Sequence, residues 1–192
     1  MFGHLQVYSG YSFQESTMLV KDIVTQAKKF GQNTVALTDK NNLFGMVEFY
    51  KLCLKEEIKP ILGMEADILI EDEKYPFVLL AKDTEGYFHL CKISTMIQLG
   101  EEVTLESLAG FQPHLFILTP GQNGILERLI TKELYNEALR HLVHFKELFK
   151  DHFYINLHRH QIALQEKVNE HLLSMAKMHY IKVVCSNQVS YL

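Results

Sequence analysis

The 192-residue sequence contains no tryptophan, only four prolines and three cysteines. Cys53, Cys91 and Cys185 are far apart and odd in number, and no C-x-x-C pair exists. That spacing excludes a zinc knuckle and a disulfide framework; reduced, mostly buried thiols in a cytoplasmic protein are expected. No apolar run reaches the roughly 20 residues of a membrane-spanning helix. The start, Met1-Phe2-Gly3-His4, lacks the basic and apolar segments of a signal peptide. A basic excess is also missing: 19 Lys and Arg face 23 Asp and Glu, a net charge of -4. A segment that grips a nucleic-acid backbone unaided needs such an excess, so direct DNA binding is not expected. Lys28, Lys29, Lys51, Lys55 and Lys59 read as solvated helix ends. Neither G-x-G-x-x-G nor G-x-x-x-x-G-K-[ST] occurs, which removes the common phosphate-cradling loops. No G-x-S-x-G elbow surrounds Ser9 or Ser12, so nucleophilic catalysis has no support, and Cys185 reads as a packed strand residue.

What is present is globular: 47% hydrophobic and 22% charged residues, enough for one domain over 1–192. Strands and helices alternate. His4 to Ser9 reads as a strand on which His4, Gln6 and Tyr8 share a face. Leu19, Val20, Ile23, Val24, Ala27 and Phe30 recur at helical spacing, with Gly31 as the stop. Further strands are expected at 34–38, 61–68, 77–81, 114–118, 153–158 and 182–185. Helices are expected near 43–56, 84–99, 104–108, in two pieces over 123–150, and at 162–179. Acidic residues and a lysine, Glu71 to Lys74, form an exposed turn. Seven strands with helical crossovers imply parallel pairing, in a closed barrel or an open doubly wound sheet. In either, function sits at the carboxyl ends of the strands.

That rim reads His4 and Gln6, Asp39 and Lys40, Glu65, Pro76, Gly121, His158 and His160, then Gln188 and Ser190. Its segments resemble one family. His4-Leu5-Gln6-Val7-Tyr8-Ser9-Gly10-Tyr11-Ser12 resembles an H-L-H-x-H-S-x-Y-S opening. Residues 36–45, ALTDKNNLFG, resemble A-I-T-D-H-G-N-L-F-G, and 58–66, IKPILGMEA, resemble I-K-P-I-I-G-x-E-A. Val78 to Asp83 with Gly86, Tyr87 and Leu90 resembles V-L-L-A-K-N…G-Y-x-N-L, and 186–192, SNQVSYL, resemble T-N-D-V-H-Y-L. Together they resemble the N-terminal PHP (polymerase and histidinol phosphatase) domain of bacterial DNA polymerase III alpha subunits. The resemblance covers the whole chain. It implies a distorted (β/α)7 barrel of mostly parallel strands with outer helices, as one piece of a longer polymerase whose last barrel helix would lie beyond residue 192.

The departures fall on the family's metal ligands. By resemblance His4, Glu65 and His160 keep suitable ligands and Asp39 keeps the acidic neighbour. Gln6 replaces the second histidine of H-x-H, and Lys40 the histidine of T-D-H. Pro76 and Gly121 fall where the family offers a histidine and a cysteine; Gln188 and Ser190 replace the aspartate and histidine of D-x-H. Catalytic metals need several anionic or imidazole ligands and an open position. The set therefore predicts a vestigial rim with no catalytic residue and no cofactor. Lys40 is expected to stand in for the lost cation, with an attraction near 4 Å on the order of 4 kcal/mol before desolvation. The expected role is a non-catalytic support within a replicative DNA polymerase. Its partners are then the rest of the alpha subunit and replisome proteins, with DNA met only through the parent chain. The alternative is an active phosphoesterase or 3′–5′ proofreading exonuclease using Zn or Mn on His4, Asp39, Glu65 and His160. A third possibility is a rim pocket that takes an anion or peptide without chemistry. His141 and His144, one turn after Glu137, and His171 and His179 read as packed or solvated helix faces.

Overall fold

The computed structural model describes residues 3–160 and 162–191. The chain runs β1 (Gln6–Val7), α1 (Val20–Lys29), β2 (Thr34–Leu37), α2 (Met46–Lys55), β3 (Lys59–Ile70) and β4 (Glu73–Ala81). It continues α3 (Thr84–Gln98), α4 (Leu105–Ala109), β5 (Leu115–Leu118), α5 (Ile125–Thr131) and α6 (Tyr135–Phe149). It ends β6 (Phe153–Leu157), α7 (Ala163–Met178), β7 (Lys182–Cys185) and β8 (Gln188–Val189). Single 3-10 turns precede β5 and β6.

Six strands form a curled sheet in the order β2-β3-β4-β5-β6-β7. Short β1 lies beside β2, since Ala36 N–H donates to His4 O (3.0 Å) and Thr38 N–H to Val7 O (2.8 Å). On its other side β1 pairs in parallel with β8, Gln6 opposite Gln188. Only Ser186 and Asn187 separate β7 from β8. The sheet is thereby brought round into the expected distorted barrel, with helices outside.

Two departures from the expected pattern have simple causes. β4 runs antiparallel to both β3 and β5. The connection from β3 to β4 is two residues, Glu71-Asp72, and a parallel crossover needs a dozen or more. β8 is an addition to the expected strands; its two residues are too few to show a period.

Side chains alternate cleanly across the barrel wall. Met64, Ala66 and Ile68, Phe77 and Leu79, Leu115 and Ile117, and Phe153 and Ile155 face outward. They join Leu90, Leu142, Phe145, Phe149 and Leu172 of α3, α6 and α7 in the main core. Val35 and Leu37 meet Val20, Ile23, Val24 and Ala27 of α1 and Phe49 and Cys53 of α2 in a second core. Inward, Val78, Leu80 and Leu118, with Leu5, Ile61, Phe116, Tyr154 and Val184, plug the lower barrel. The next inward positions toward the carboxyl ends, Glu65 on β3, Asn156 on β6 and Ser186 after β7, are polar. Of the thiols only Cys53 is buried; Cys185, at the end of β7, is exposed, against expectation.

Candidate functional site

The amino-terminal strand positions the site differently from a regular alternation. The chain bends at Leu5, which enters the lower plug. Gln6 and Tyr8 point into the barrel, while His4 lines a surface pocket with Val7, Met18 and Phe30 beside α1. His4 therefore does not share a face with Gln6 and Tyr8. The bend reverses the parity that a continuous strand would have kept.

At the mouth, Glu65 and Gln6 are 7% and 1% exposed. The Tyr8 hydroxyl donates to Glu65 Oε2. Gln6 Nε2 donates to the same oxygen (3.0 Å), to Tyr8 Oη (2.7 Å) and toward Pro120 O (3.4 Å). Gln6 Oε1 accepts from Asn156 Nδ2 (3.3 Å) and lies 3.0 Å from His158 Nε2, which is also 3.1 Å from Asn156 Nδ2. Asn156 Oδ1 accepts from Ser186 Oγ (2.8 Å), and Asn156 N–H donates to Thr119 Oγ1 (3.0 Å). Burial pushes the Glu65 carboxyl above its usual range, against the bonds from Tyr8 and Gln6 and the charge of Lys40. Burial holds the His158 imidazole down to about 4, with help from neighbouring His160, so it is neutral at pH 7. The Tyr8 phenol is raised, first by burial and then by the Glu65 charge.

Asp39 is also buried, but in a cradle of its own. It accepts from Ser9 N–H (2.7 Å), Ser9 Oγ (2.7 Å) and Ser12 Oγ (2.6 Å). Ser12 Oγ accepts in turn from Lys40 N–H (3.0 Å). The serines thus position a carboxylate rather than attack a substrate. The Lys40 ammonium is half-exposed, and its ion pair is with Glu15 at 3.7 Å. It reaches Glu65 only through space, where its charge works against the burial that raises that carboxyl, while neutral donors bond Glu65 Oε2 and both oxygens of Asp39.

His160 is exposed, its ring edge-on to His158 with centroids 5.7 Å apart. Gln188 is held by the β8–β1 ladder, and Ser190 O accepts from Ser16 Oγ (3.1 Å). Pro76 sits opposite Asp67, whose carboxylate bonds Asn41 Nδ2 at 2.8 Å. Of the residues read as a rim, Gln6 and Glu65 meet directly, Asp39 and Lys40 adjoin them, and His4 and His160 lie apart. Tyr8, Asn156 and Ser186 complete the network. Asn156 was legible in principle, as the middle of the inward series Tyr154, Asn156, His158. His141 packs on Phe145 and His171 on Tyr135, as helix-face residues should.

Gly121 explains why His158 fits. It has φ +81°, and a Cβ there would lie 2.3 Å from His158 Nδ1. The imidazole occupies the space that a side chain at 121 would need. Gly121→Ala should therefore destabilise by about 2 kcal/mol or more, from the left-handed backbone and the clash together. Thermal unfolding of Gly121→Ala and of Gly121→Ala with His158→Ala checks this, since the second change should recover the clash component.

A metal centre needs lone pairs converging on an ion. Here N–H and O–H donors converge on Glu65, so their positive ends point where an ion would bind. Among the described residues no three His, Cys, Asp or Glu side chains are placed to hold a metal. The residues present do not fit the metal cluster that the family pattern implies.

Comparison with known proteins agrees with this architecture. The PHP domain profile matches residues 4–160. The chain is 33% identical over 197 residues to a DNA polymerase III subunit alpha of Bacillus subtilis, and 31% identical over 206 residues to that of Borreliella burgdorferi. These matches cover 100% and 99% of the chain but 18% of each relative's length. Among solved structures, a protein of Bifidobacterium adolescentis inferred to be a metal-dependent phosphoesterase superposes with TM-score 0.68 at 13% identity, covering 98% of this chain and 87% of the other. An amidohydrolase of Chromobacterium violaceum, solved with sulfate and no metal, gives TM-score 0.68 at 10% identity over the same shares. At such identities the likeness is one of fold. The profile match over most of the chain, on a barrel of this topology, makes the protein a member of the PHP domain family.

Proposed function

We propose that this chain is a non-catalytic PHP domain that supports the structure of a bacterial replicative DNA polymerase. The observation that carries this reading is the convergence of the Gln6 amide and Tyr8 hydroxyl on Glu65 Oε2. A neutral hydrogen-bond network stands where phosphoesterase chemistry would require an ion and an activated water. The relatives supply the context, because the chain corresponds to 18% of each polymerase subunit and catalysis of polymerisation would reside elsewhere in such a protein. The surface suits a packed module. α2 turns Val47, Tyr50 and Leu54 to solvent, and Phe44 before it is 65% exposed. Such a stripe is material for an interface with the rest of an alpha subunit. Contact with replisome proteins, access to DNA only through the parent polymerase, and a cytoplasmic location belong to the same proposal. No helix among the described residues is long and apolar enough to cross a membrane.

The test is elemental analysis of protein produced with zinc and manganese in excess, paired with a single-strand exonuclease assay. Substoichiometric metal and no cleavage are expected. Near-stoichiometric metal together with nuclease activity sinks the proposal in favour of a catalytic phosphoesterase.

A further inference from the structure

At the end of the barrel opposite the Gln6–Glu65 network, the inward plug stops short of the rim and leaves a well of about 410 Å³. Every strand from β3 to β7 contributes to its lining, through Ile61, Leu80, Phe116, Leu118, Tyr154 and Val184. Leu80 and Leu118 are buried; the other four are half-buried, with Phe116 and Tyr154 edge-to-face at 5.8 Å between centroids. An apolar hollow of this size falls in the range of small-ligand sites, and its half-buried walls leave hydrophobic surface facing water.

The mouth is basic in a chain whose net charge is -4. Lys59, at the start of β3, and Lys82, just past β4, line the well. Lys182, at the start of β7, holds its ammonium 5.4 Å from the centroid of the Tyr154 ring and donates to Asp151 O at 3.1 Å. Lys82 and Lys182 converge on one place: His152, stacked on Phe116 with centroids 6.0 Å apart, is held below its usual range by burial first and then by both of their charges. Among the described residues, none of these three lysines has a carboxylate within ion-pair distance. Asp83, beside Lys82, is already engaged by His114 Nδ1 (3.0 Å) and by Gly86 N–H (2.9 Å). Charge alone holds a small anion weakly at so exposed a rim, because salt screens it. An anion with an apolar body adds burial in the well to that attraction. The lining is mainly aliphatic, which suits a flexible alkyl chain. We propose that this well binds a medium-chain alkyl carboxylate, with its tail among Ile61, Leu80, Leu118 and Val184 and its carboxylate at Lys59, Lys82 and Lys182. The site shares no residue with the Gln6–Glu65 network and needs neither metal nor catalysis.

Isothermal titration of the purified protein with octanoate, decanoate and 1-octanol, each below its micellar or solubility limit, tests this. Decanoate should bind about tenfold more tightly than octanoate, because two more methylenes leave water. 1-Octanol has the same tail as octanoate and no charge, and should bind about fivefold more weakly or worse. The exposed pair Lys59→Gln with Lys82→Gln should weaken octanoate to the level of 1-octanol and leave 1-octanol unchanged. Val184→Trp, on the wall of the well, should block all three compounds. Equal binding of octanoate and 1-octanol, undiminished octanoate binding to the lysine double variant or to Val184→Trp, or no binding of decanoate overturns the proposal.

Discussion

Replacing Glu127 by glutamine should stabilise the protein in alkaline solution by roughly 3 to 5 kcal/mol and change little near pH 5. The Glu127 carboxyl is buried in the first turn of α5, and burial raises its pKa from 4.5 to about 8, against weaker opposing help from its own amide and from Thr119. The unfolded chain would release this proton near 4.5. Between those values the folded state holds a proton that the unfolded state has lost. The contribution is therefore full below about 4.5 and is lost as pH rises through 8. Glutamine keeps the shape and cannot ionise, so the loss disappears. Urea denaturation of both proteins at pH 5 and pH 8.5 measures it. His158, held down to about 4, acts in the opposite sense on the acid side. It is common to both proteins and cancels in the difference. A stability difference that does not change with pH would show that the Glu127 carboxyl is not the titrating group.

Asp39 and Lys40 are neighbours whose removal should differ severalfold in cost. Asp39→Ala strips the acceptor from Ser9 N–H, Ser9 Oγ and Ser12 Oγ in a site that is 1% exposed. Orphaned donors of that kind should cost about 3 to 5 kcal/mol together, enough to unfold a marginal domain at physiological temperature. Lys40→Ala removes a half-exposed ammonium from a 3.7 Å pair with Glu15, which is worth about 1 kcal/mol or less. Denaturant midpoints for the two variants decide between two accounts of this rim. A Lys40 loss as large as that of Asp39 would show that its charge compensates the carboxylates.

The difference between those two accounts shows where sequence reading works and where it stops. The outer wall of the barrel was legible because strands and helices advertise their buried faces by period, as in Val20, Ile23, Val24 and Ala27 of α1. The family motifs then singled out Asp39, just past β2, and Glu65, which lies in the middle of β3 rather than at its end. The antiparallel direction of β4 departs from the expected parallel pairing, although its connection is too short for a crossover. The partner of Lys40 was not legible, since whether an ammonium turns toward Glu65 or toward Glu15 depends on three-dimensional placement. Nor was the parity of His4, which one bend at Leu5 reverses. Glu127 gave no signal at all: an acidic residue early in a helix ordinarily marks a solvated first turn. Here Ile125, Leu126 and Glu127 are buried together because Gly124 leaves room; a Cβ there would lie 2.1 Å from Glu127 Oε2.

The pairing of Gln6 with Gln188 also bears on the order in which the protein acquires its structure. During synthesis β1 must wait until residues about 180 positions later have been made before its last neighbour exists. Contacts of such long sequence separation carry a large loop-closure entropy and slow the search for the native state. The hairpin of β3 and β4 has no such delay. Folding should therefore begin near the β3–β4 hairpin and finish at the β1–β8 seam, leaving the edge of β1 exposed to aggregation until that late step.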